Sequence, residues 1–173
     1  ETNVEPAFGI LKAGNIEGIF EINSDAVVFI SNTDDNTRSL YRLIIDGSTG
    51  KLKDEKLIAS RNLNPSKNRN SKIADELMPE FLIRKDPKSE NYAVAMTNSF
   101  VSDSSKRIEI ILFGSENKET KRAFYSSPVE KFKYLQFVDM AVIGTDKVAV
   151  LIYGYNLTVN KEKEGDLILA DLV

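Results

Sequence analysis

The sequence predicts an all-β fold made of three successive units of antiparallel strands, the last of them incomplete. The first observation is a pair of dense apolar runs, joined by a polar loop, that occurs three times along the 173 residues. The second is that turns rich in Gly, Asn and Asp separate these runs. The third is that helical signals are confined to short stretches between the units. A β-sandwich or a barrel is the alternative arrangement of the same strands.

The first unit covers residues 16–60, in which we predict four strands. Their positions are 16–22, 26–32, 39–46 and 52–60. Asn23-Ser24-Asp25 and the segment 46–50 supply the positive φ angles and side-chain-to-backbone bonds that hairpin turns require. The unit is therefore expected to fold as a chain of hairpins.

The second and third units, residues 80–126 and 137–172, repeat this plan. The predicted strands are 80–84, 92–98, 107–114 and 121–126, followed by 137–143, 148–155 and 166–172. Several of these strands are apolar at consecutive positions, which indicates sheets that are covered on both faces. The third unit lacks a fourth strand.

Two short helices are predicted between the units. Ser127-Pro128-Val129-Glu130 has the spacing of a capping box with Pro at the first helical position. Residues 71–78 have the composition of two helical turns, which Pro79 would stop.

Composition restricts the possible functions. The net charge of −3 does not favour nucleic acid or an anionic membrane as the partner, and no apolar stretch approaches the roughly 18 residues of a membrane-spanning helix. The absence of Cys and His excludes thiolate and imidazole chemistry, and we predict no metal and no cofactor. The chain begins with Glu1 rather than Met, which suits either a trimmed chain or a mature secreted or periplasmic protein whose signal peptide has been removed.

The stretch 81–95, a strand, an Asp-containing turn and a second strand, resembles the opening of a β-propeller blade. Trp-Asp dipeptides, kelch Gly-Gly pairs and Asp-boxes are absent, and the chain is similar in general character to uncharacterised exported bacterial propeller-like proteins. The resemblance implies a propeller-like array of about three four-stranded blades. Closed propellers need at least four blades. The array therefore implies either a longer chain or a homodimer that completes the ring, in which residues 7–11 donate the missing outer strand.

Loop lengths favour a non-catalytic binding or scaffold module with a protein or carbohydrate partner. The longer loops, predicted at 33–38, 61–79, 99–106 and 156–165, share one side of the units, and long loops on one side of a repeat array usually mark the binding side. On this long-loop face Arg61, Lys67 and Arg69 are candidates for contacting an anion. Phe100 and Tyr155 are candidates for stacking on a sugar or a peptide.

The alternative is part of a carbohydrate-active enzyme that uses paired carboxylates. Asp139 and Asp171 lie in apolar strand sequences and are candidates for perturbed carboxylates, although a role at strand ends or in turns explains them as well. No catalytic residue is assigned, because the sequence does not show which acids converge.

Overall fold

A computed structural model describes residues 14–34, 37–62, 80–97, 107–125 and 131–172. These residues form eleven β-strands and contain no helix, which confirms the all-β prediction. The strands are β1 (Asn15–Ile22), β2 (Asp25–Asp34), β3 (Thr37–Ile45), β4 (Leu52–Asn62), β5 (Glu80–Lys85), β6 (Tyr92–Thr97), β7 (Ile108–Phe113), β8 (Glu119–Tyr125), β9 (Tyr134–Ile143), β10 (Lys147–Leu157) and β11 (Lys163–Asp171). In the described part of the chain no helix is long and apolar enough to cross a membrane.

Several predicted features lie outside the described residues. These are the two helices, the donated strand at 7–11, and Lys67, Arg69 and Phe100.

The strands form three antiparallel sheets in chain order. The first contains β1-β2-β3-β4, the second β5-β6-β7-β8, and the third has the order β11-β10-β9. The predicted pattern of two four-stranded units and an incomplete third is therefore confirmed, and none of the sheets, as far as their described strands extend, closes into a barrel.

The chain forms two compact units, Glu1–Ala74 with the first sheet and Asp75–Val173 with the other two. That all 173 residues belong to one repeat domain stays a prediction.

In the first unit, β2 extends to Asp34 and β3 begins at Thr37, so the loop predicted over residues 33–38 is wrong in length. The cross-strand pair Asp34–Thr37 continues the ladder almost to the turn.

One buried cluster of the first unit lies on alternate positions of its inner strands. Tyr41 and Leu43 of β3 are buried, and Val28, Ile30 and Leu52 pack against them. The hairpin between β1 and β2 turns through Asn23 and Ser24, whose φ angles are 51° and 66°. Two consecutive residues with positive φ are the mark of a type I′ turn, whose twist matches that of the flanking strands.

Both sheets of the second unit contribute to one buried hydrophobic cluster. The buried residues from the second sheet include Ala93, Ala95, Ile108, Ile110 and Leu112, and those from the third include Leu135, Met140, Val142, Val148, Val150 and Ile152. All six of the latter lie on β9 and β10. Burial of each Val, Leu, Ile or Met side chain among them contributes about 1.5–3 kcal/mol.

Short turns of the two sheets meet at one end of this unit. The Asn91 side-chain amide donates to the carbonyl of Gly144 over 3.0 Å, and the Gly144 N–H donates to Asp86 Oδ2 over 3.2 Å. The β5–β6 and β9–β10 turns therefore share a side. The connection from β10 to β11 and the beginning of β9 lie at the opposite end, the side on which the sequence predicts the longer loops. This connection covers only residues 158–162, so the loop predicted over 156–165 is wrong in length.

Candidate binding surface on the third sheet

Three tyrosines come together where β9 begins and β10 ends. Tyr134 lies opposite Tyr155 in the strand register, and Tyr153 precedes Tyr155 by two residues on the same face. The ring centroids of Tyr134 and Tyr155 are 5.3 Å apart with 22° between the planes, and those of Tyr153 and Tyr155 are 5.4 Å apart with 19°. These three half-buried side chains are the tyrosine cluster.

Lysine ammonium groups lie over two of the rings. Lys133 Nζ is 5.6 Å from the centroid of Tyr134, and Lys163 Nζ is 4.8 Å from that of Tyr155. Both distances are within the range of cation–π attraction, which is worth about 0.5–1 kcal/mol at exposed sites. The surface therefore combines flat amphipathic rings with positive charge.

Asn156 holds the segment before β9 against the end of β10. Its side-chain Nδ2 donates to the carbonyl of Lys131 over 3.1 Å, and its Oδ1 accepts from the backbone N–H of Lys133 over 2.8 Å. Because both bonds are to backbone groups on either side of Phe132, they fix the position from which Tyr134 projects. In the sequence, Asn156 was predicted only as the first residue of the loop 156–165.

Two glycines allow the close packing beneath the cluster. A Cβ on Gly154 would lie 2.5 Å from Cδ2 of Phe132, so the phenyl ring occupies the space that a side chain would need. A Cβ on Gly165 would lie 2.0 Å from the carbonyl oxygen of Gly154, so β11 approaches β10 this closely only with glycine there. The tyrosine cluster therefore stands on a tightly packed base.

An open cavity of about 580 Å³ lies along β11. Its lining consists of Lys131, Phe132, Asp166, Leu167, Ile168 and Leu169. Lys131 Nζ and Asp166 Oδ2 form an ion pair of 2.7 Å there. The lining therefore contains this ion pair together with the apolar side chains of Leu167, Ile168 and Leu169.

The predicted site residues fall in different places. Tyr155 is the central member of the tyrosine cluster. Arg61 lies near the end of β4 in the first unit, half-buried, where its Nη1 donates to the carbonyl of Ser60 over 3.3 Å. Since the two residues belong to different compact units, each is described by itself.

The two aspartates predicted as candidates for perturbed carboxylates are surface residues. Arg84 Nη2 and Asp139 Oδ1 are 3.1 Å apart, and Lys147 Nζ and Asp171 Oδ2 are 2.9 Å apart. The two carboxylate side chains are 52% and 58% exposed. The prediction that these two acids lie in apolar surroundings is therefore wrong, because both side chains point from the sheet toward solvent and a neighbouring cation. Among the described residues no group of three or more acidic side chains could hold a metal ion.

Sequence reasoning missed Tyr134, Tyr153 and the two lysines. One available signal was Tyr153-Gly154-Tyr155 inside a predicted strand, since the two-residue period places both rings on one face. The cross-strand partner Tyr134 depended on a register that no local pattern specifies.

No family model, curated protein or solved structure matches this chain. What this surface can bind is therefore inferred from the chemistry of its own residues.

Proposed function

We propose that the protein is a non-catalytic binding or scaffold module that contacts a partner protein through the tyrosine cluster on the long-loop side of its third sheet. The observation that carries the proposal is the near-parallel packing of Tyr134, Tyr155 and Tyr153 beneath two lysines. Tyrosine is enriched at protein interfaces because it offers a large rigid contact area together with a polar end. Lysine would add attraction to acidic side chains.

Neighbouring apolar residues favour a protein over a carbohydrate as the partner. Leu157 at the end of β10 is 47% exposed, and Val159 in the following turn is fully exposed. Aliphatic side chains beside stacked aromatic rings complement apolar side chains of a polypeptide. A carbohydrate that stacks on Tyr155 is the second candidate, supported by the same flat rings.

The proposal includes a propeller-like arrangement of the sheets in an exported bacterial protein. The propeller-like arrangement is supported by the strand order, because each described sheet is a simple meander whose strands follow chain order, as in propeller blades. Among the described strands the third sheet has only three, which supports completion by a longer chain or by a second copy.

The carbohydrate-active enzyme stays a prediction. The three aspartates described on the third sheet each form an ion pair, Asp139 with Arg84, Asp166 with Lys131 and Asp171 with Lys147. A pair of carboxylates that converges on a bond to be cleaved would have to involve other acids of the chain.

The test is selection of a displayed library of random peptides on the immobilised protein, followed by measurement of affinity for the enriched peptides. Tyr155→Ser should weaken binding by about tenfold or more, because central aromatic residues dominate such interfaces. The matched control is Phe124→Ser, which removes another exposed aromatic ring, on β8 of the second sheet.

Equal losses for the two variants would contradict a site at the tyrosine cluster. The selection could instead enrich no peptide, while the protein binds neutral oligosaccharides and Tyr155→Ser abolishes that binding. This result would favour a carbohydrate as the partner. Circular dichroism on each variant separates loss of binding from loss of fold.

A further inference from the structure

The strand β11 forms one edge of the third sheet. Among the described strands it pairs with β10 alone. Two of its leucines are largely exposed, Leu167 by 67% and Leu169 by 73%. An extended edge with exposed apolar side chains is a template for the addition of another strand.

The hydrogen-bond pattern shows which backbone groups of β11 point outward. The N–H of Leu172 donates to the carbonyl of Val148 over 3.0 Å. Hydrogen-bonded pairs alternate along an antiparallel ladder, so Ala170 and Ile168 also direct their backbone groups toward β10. The N–H and C=O groups of Leu167 and Leu169 are consequently directed away from the sheet.

We propose that β11 pairs antiparallel with β11 of a second copy of this chain, which joins the two third sheets into one six-stranded sheet across a two-fold axis. In the proposed register Leu167 lies opposite the partner's Leu167. Gly165 then lies opposite the partner's Leu169, and Lys163 lies opposite the partner's Asp171.

Charge complementarity selects this register. Within β11 the basic residue with outward backbone groups is Lys163, and the acidic one is Asp171. Placing one opposite the other forms two cross-strand Lys–Asp pairs per dimer, one at each end of the shared ladder, and opposite charges in that position are favourable. A two-residue shift would instead place Lys163 opposite the partner's Leu169, or Gly165 opposite the partner's Asp171.

The apolar residues fit the same register. Ile168 and Ala170 pack against the core of the unit, so Leu167 and Leu169 project from the other face. Around the two-fold axis these leucines and their counterparts form one cluster of four. The like-charged side chains that come nearest to each other across the axis are the two Asp166 carboxylates, one from each copy. Lys131, at 2.7 Å from Asp166 of its own chain, compensates this charge.

The first experiment measures the mass of the full chain by light scattering and sedimentation over a concentration series. The wild-type protein should dimerise. Leu167→Lys should be monomeric under the same conditions, because the symmetric pairing would set two lysines directly opposite each other. A wild-type protein that is monomeric throughout, or a Leu167→Lys variant that still dimerises, would overturn the proposal.

The second experiment tests the register with charge reversals. Lys163→Asp and Asp171→Lys should each raise the dimer dissociation constant by about tenfold or more, since each creates two like-charged pairs across the interface. Asp171→Lys also sets a lysine beside Lys147 within each chain, so its fold is checked by circular dichroism. An equimolar mixture should form the heterodimer, because every end pair then joins a carboxylate to an ammonium group. The two introduced side chains meet at one end of the ladder, and the native Lys163 and Asp171 meet at the other. Failure of the mixture to associate, with both variants folded, would rule out this register.

Two controls complete the test. Lys56→Asp makes the same charge change at an exposed position of β4 and should leave the dimer intact. Tyr155→Ser should also leave it intact, so loss of peptide binding and loss of dimerisation are distinguishable. If the amides of Leu167 and Leu169 in a monomeric protein are protected from hydrogen exchange, another part of the same chain covers the edge and the proposal fails.

Discussion

At the scale of single residues, Asp86 has the most defined electrostatic role. Its side chain is buried, with 4% exposed, and accepts hydrogen bonds from Ser89 Oγ at 2.6 Å, the Lys88 N–H at 3.1 Å and the Gly144 N–H at 3.2 Å. The Ser89 hydroxyl, followed by the Lys88 N–H, holds the pKa of this carboxyl below its ordinary value. The ionised form is therefore the one that joins the β5–β6 turn to the β9–β10 turn.

Replacement of Asp86 by Ala should lower the free energy of unfolding by about 1–3 kcal/mol at neutral pH, because three donors lose their acceptor. Since the folded-state pKa lies below the ordinary value of 3.8, the contribution of ionised Asp86 is complete above that pH and is lost as the pH falls through the lowered pKa. Chemical denaturation of both proteins over a pH series should show their stabilities converging below pH 3.8. A difference that stays constant into strong acid would contradict the role assigned to the carboxylate.

Tyr155 and Tyr134 show how far single residues can be read from the sequence. Tyr155 was predicted because it ends an apolar strand next to a long loop. Tyr134 was not, because it precedes the predicted strand at 137–143 and its partner is fixed by long-range pairing with β10. The lysines over the rings depended on the same pairing.

At the scale of elements, turns and apolar runs determined most of the strands. The boundaries of all eleven lie within a few residues of their predicted positions, because Gly, Asn and Asp interrupt short apolar runs. The largest errors are extensions: β9 begins at Tyr134 and β11 at Lys163. Polar residues continue a strand when the neighbouring strand supplies hydrogen bonds, and that support is not visible in the local sequence.

The β1–β2 turn offers a test of local turn chemistry. Ser24 has a φ of 66°, a conformation that glycine adopts at lower cost, so Ser24→Gly should stabilise the protein by roughly 0.5–1 kcal/mol. The matched control is Ser48→Gly in the β3–β4 turn of the same sheet, where Ser48 donates from both its N–H and its hydroxyl to Asp46 Oδ1. That change should be destabilising. Thermal and chemical denaturation measure both, and a destabilised Ser24→Gly variant would contradict the turn assignment.

At the scale of the whole molecule, the third sheet has an apolar outer face. Val138, Ile143, Leu167 and Leu169 on this sheet are each at least 46% exposed. The net charge of −3 gives little electrostatic repulsion between copies, and it vanishes near the isoelectric point of about 5.2. Surfaces of this kind promote association.

Solubility should therefore respond to the apolar face and not to charge alone. Leu169→Glu and Lys51→Gln each make the net charge one unit more negative, but only the first removes an exposed leucine from β11. Leu169→Glu should raise solubility at neutral pH more than Lys51→Gln, as measured by precipitation with polyethylene glycol. Equal gains would show that net charge, and not the leucine, limits solubility.

The sequence by itself determined the strand content, the division into two complete units and one incomplete unit, and the turn positions. These features depend on hydrophobic periodicity and on backbone preferences of neighbouring residues, which act over a few positions. Tertiary structure decided which rings meet Tyr155, where Asp139 and Asp171 point and which described strands form the edges of the third sheet. Those properties depend on cross-strand register and sheet packing, which bring together residues far apart in the chain.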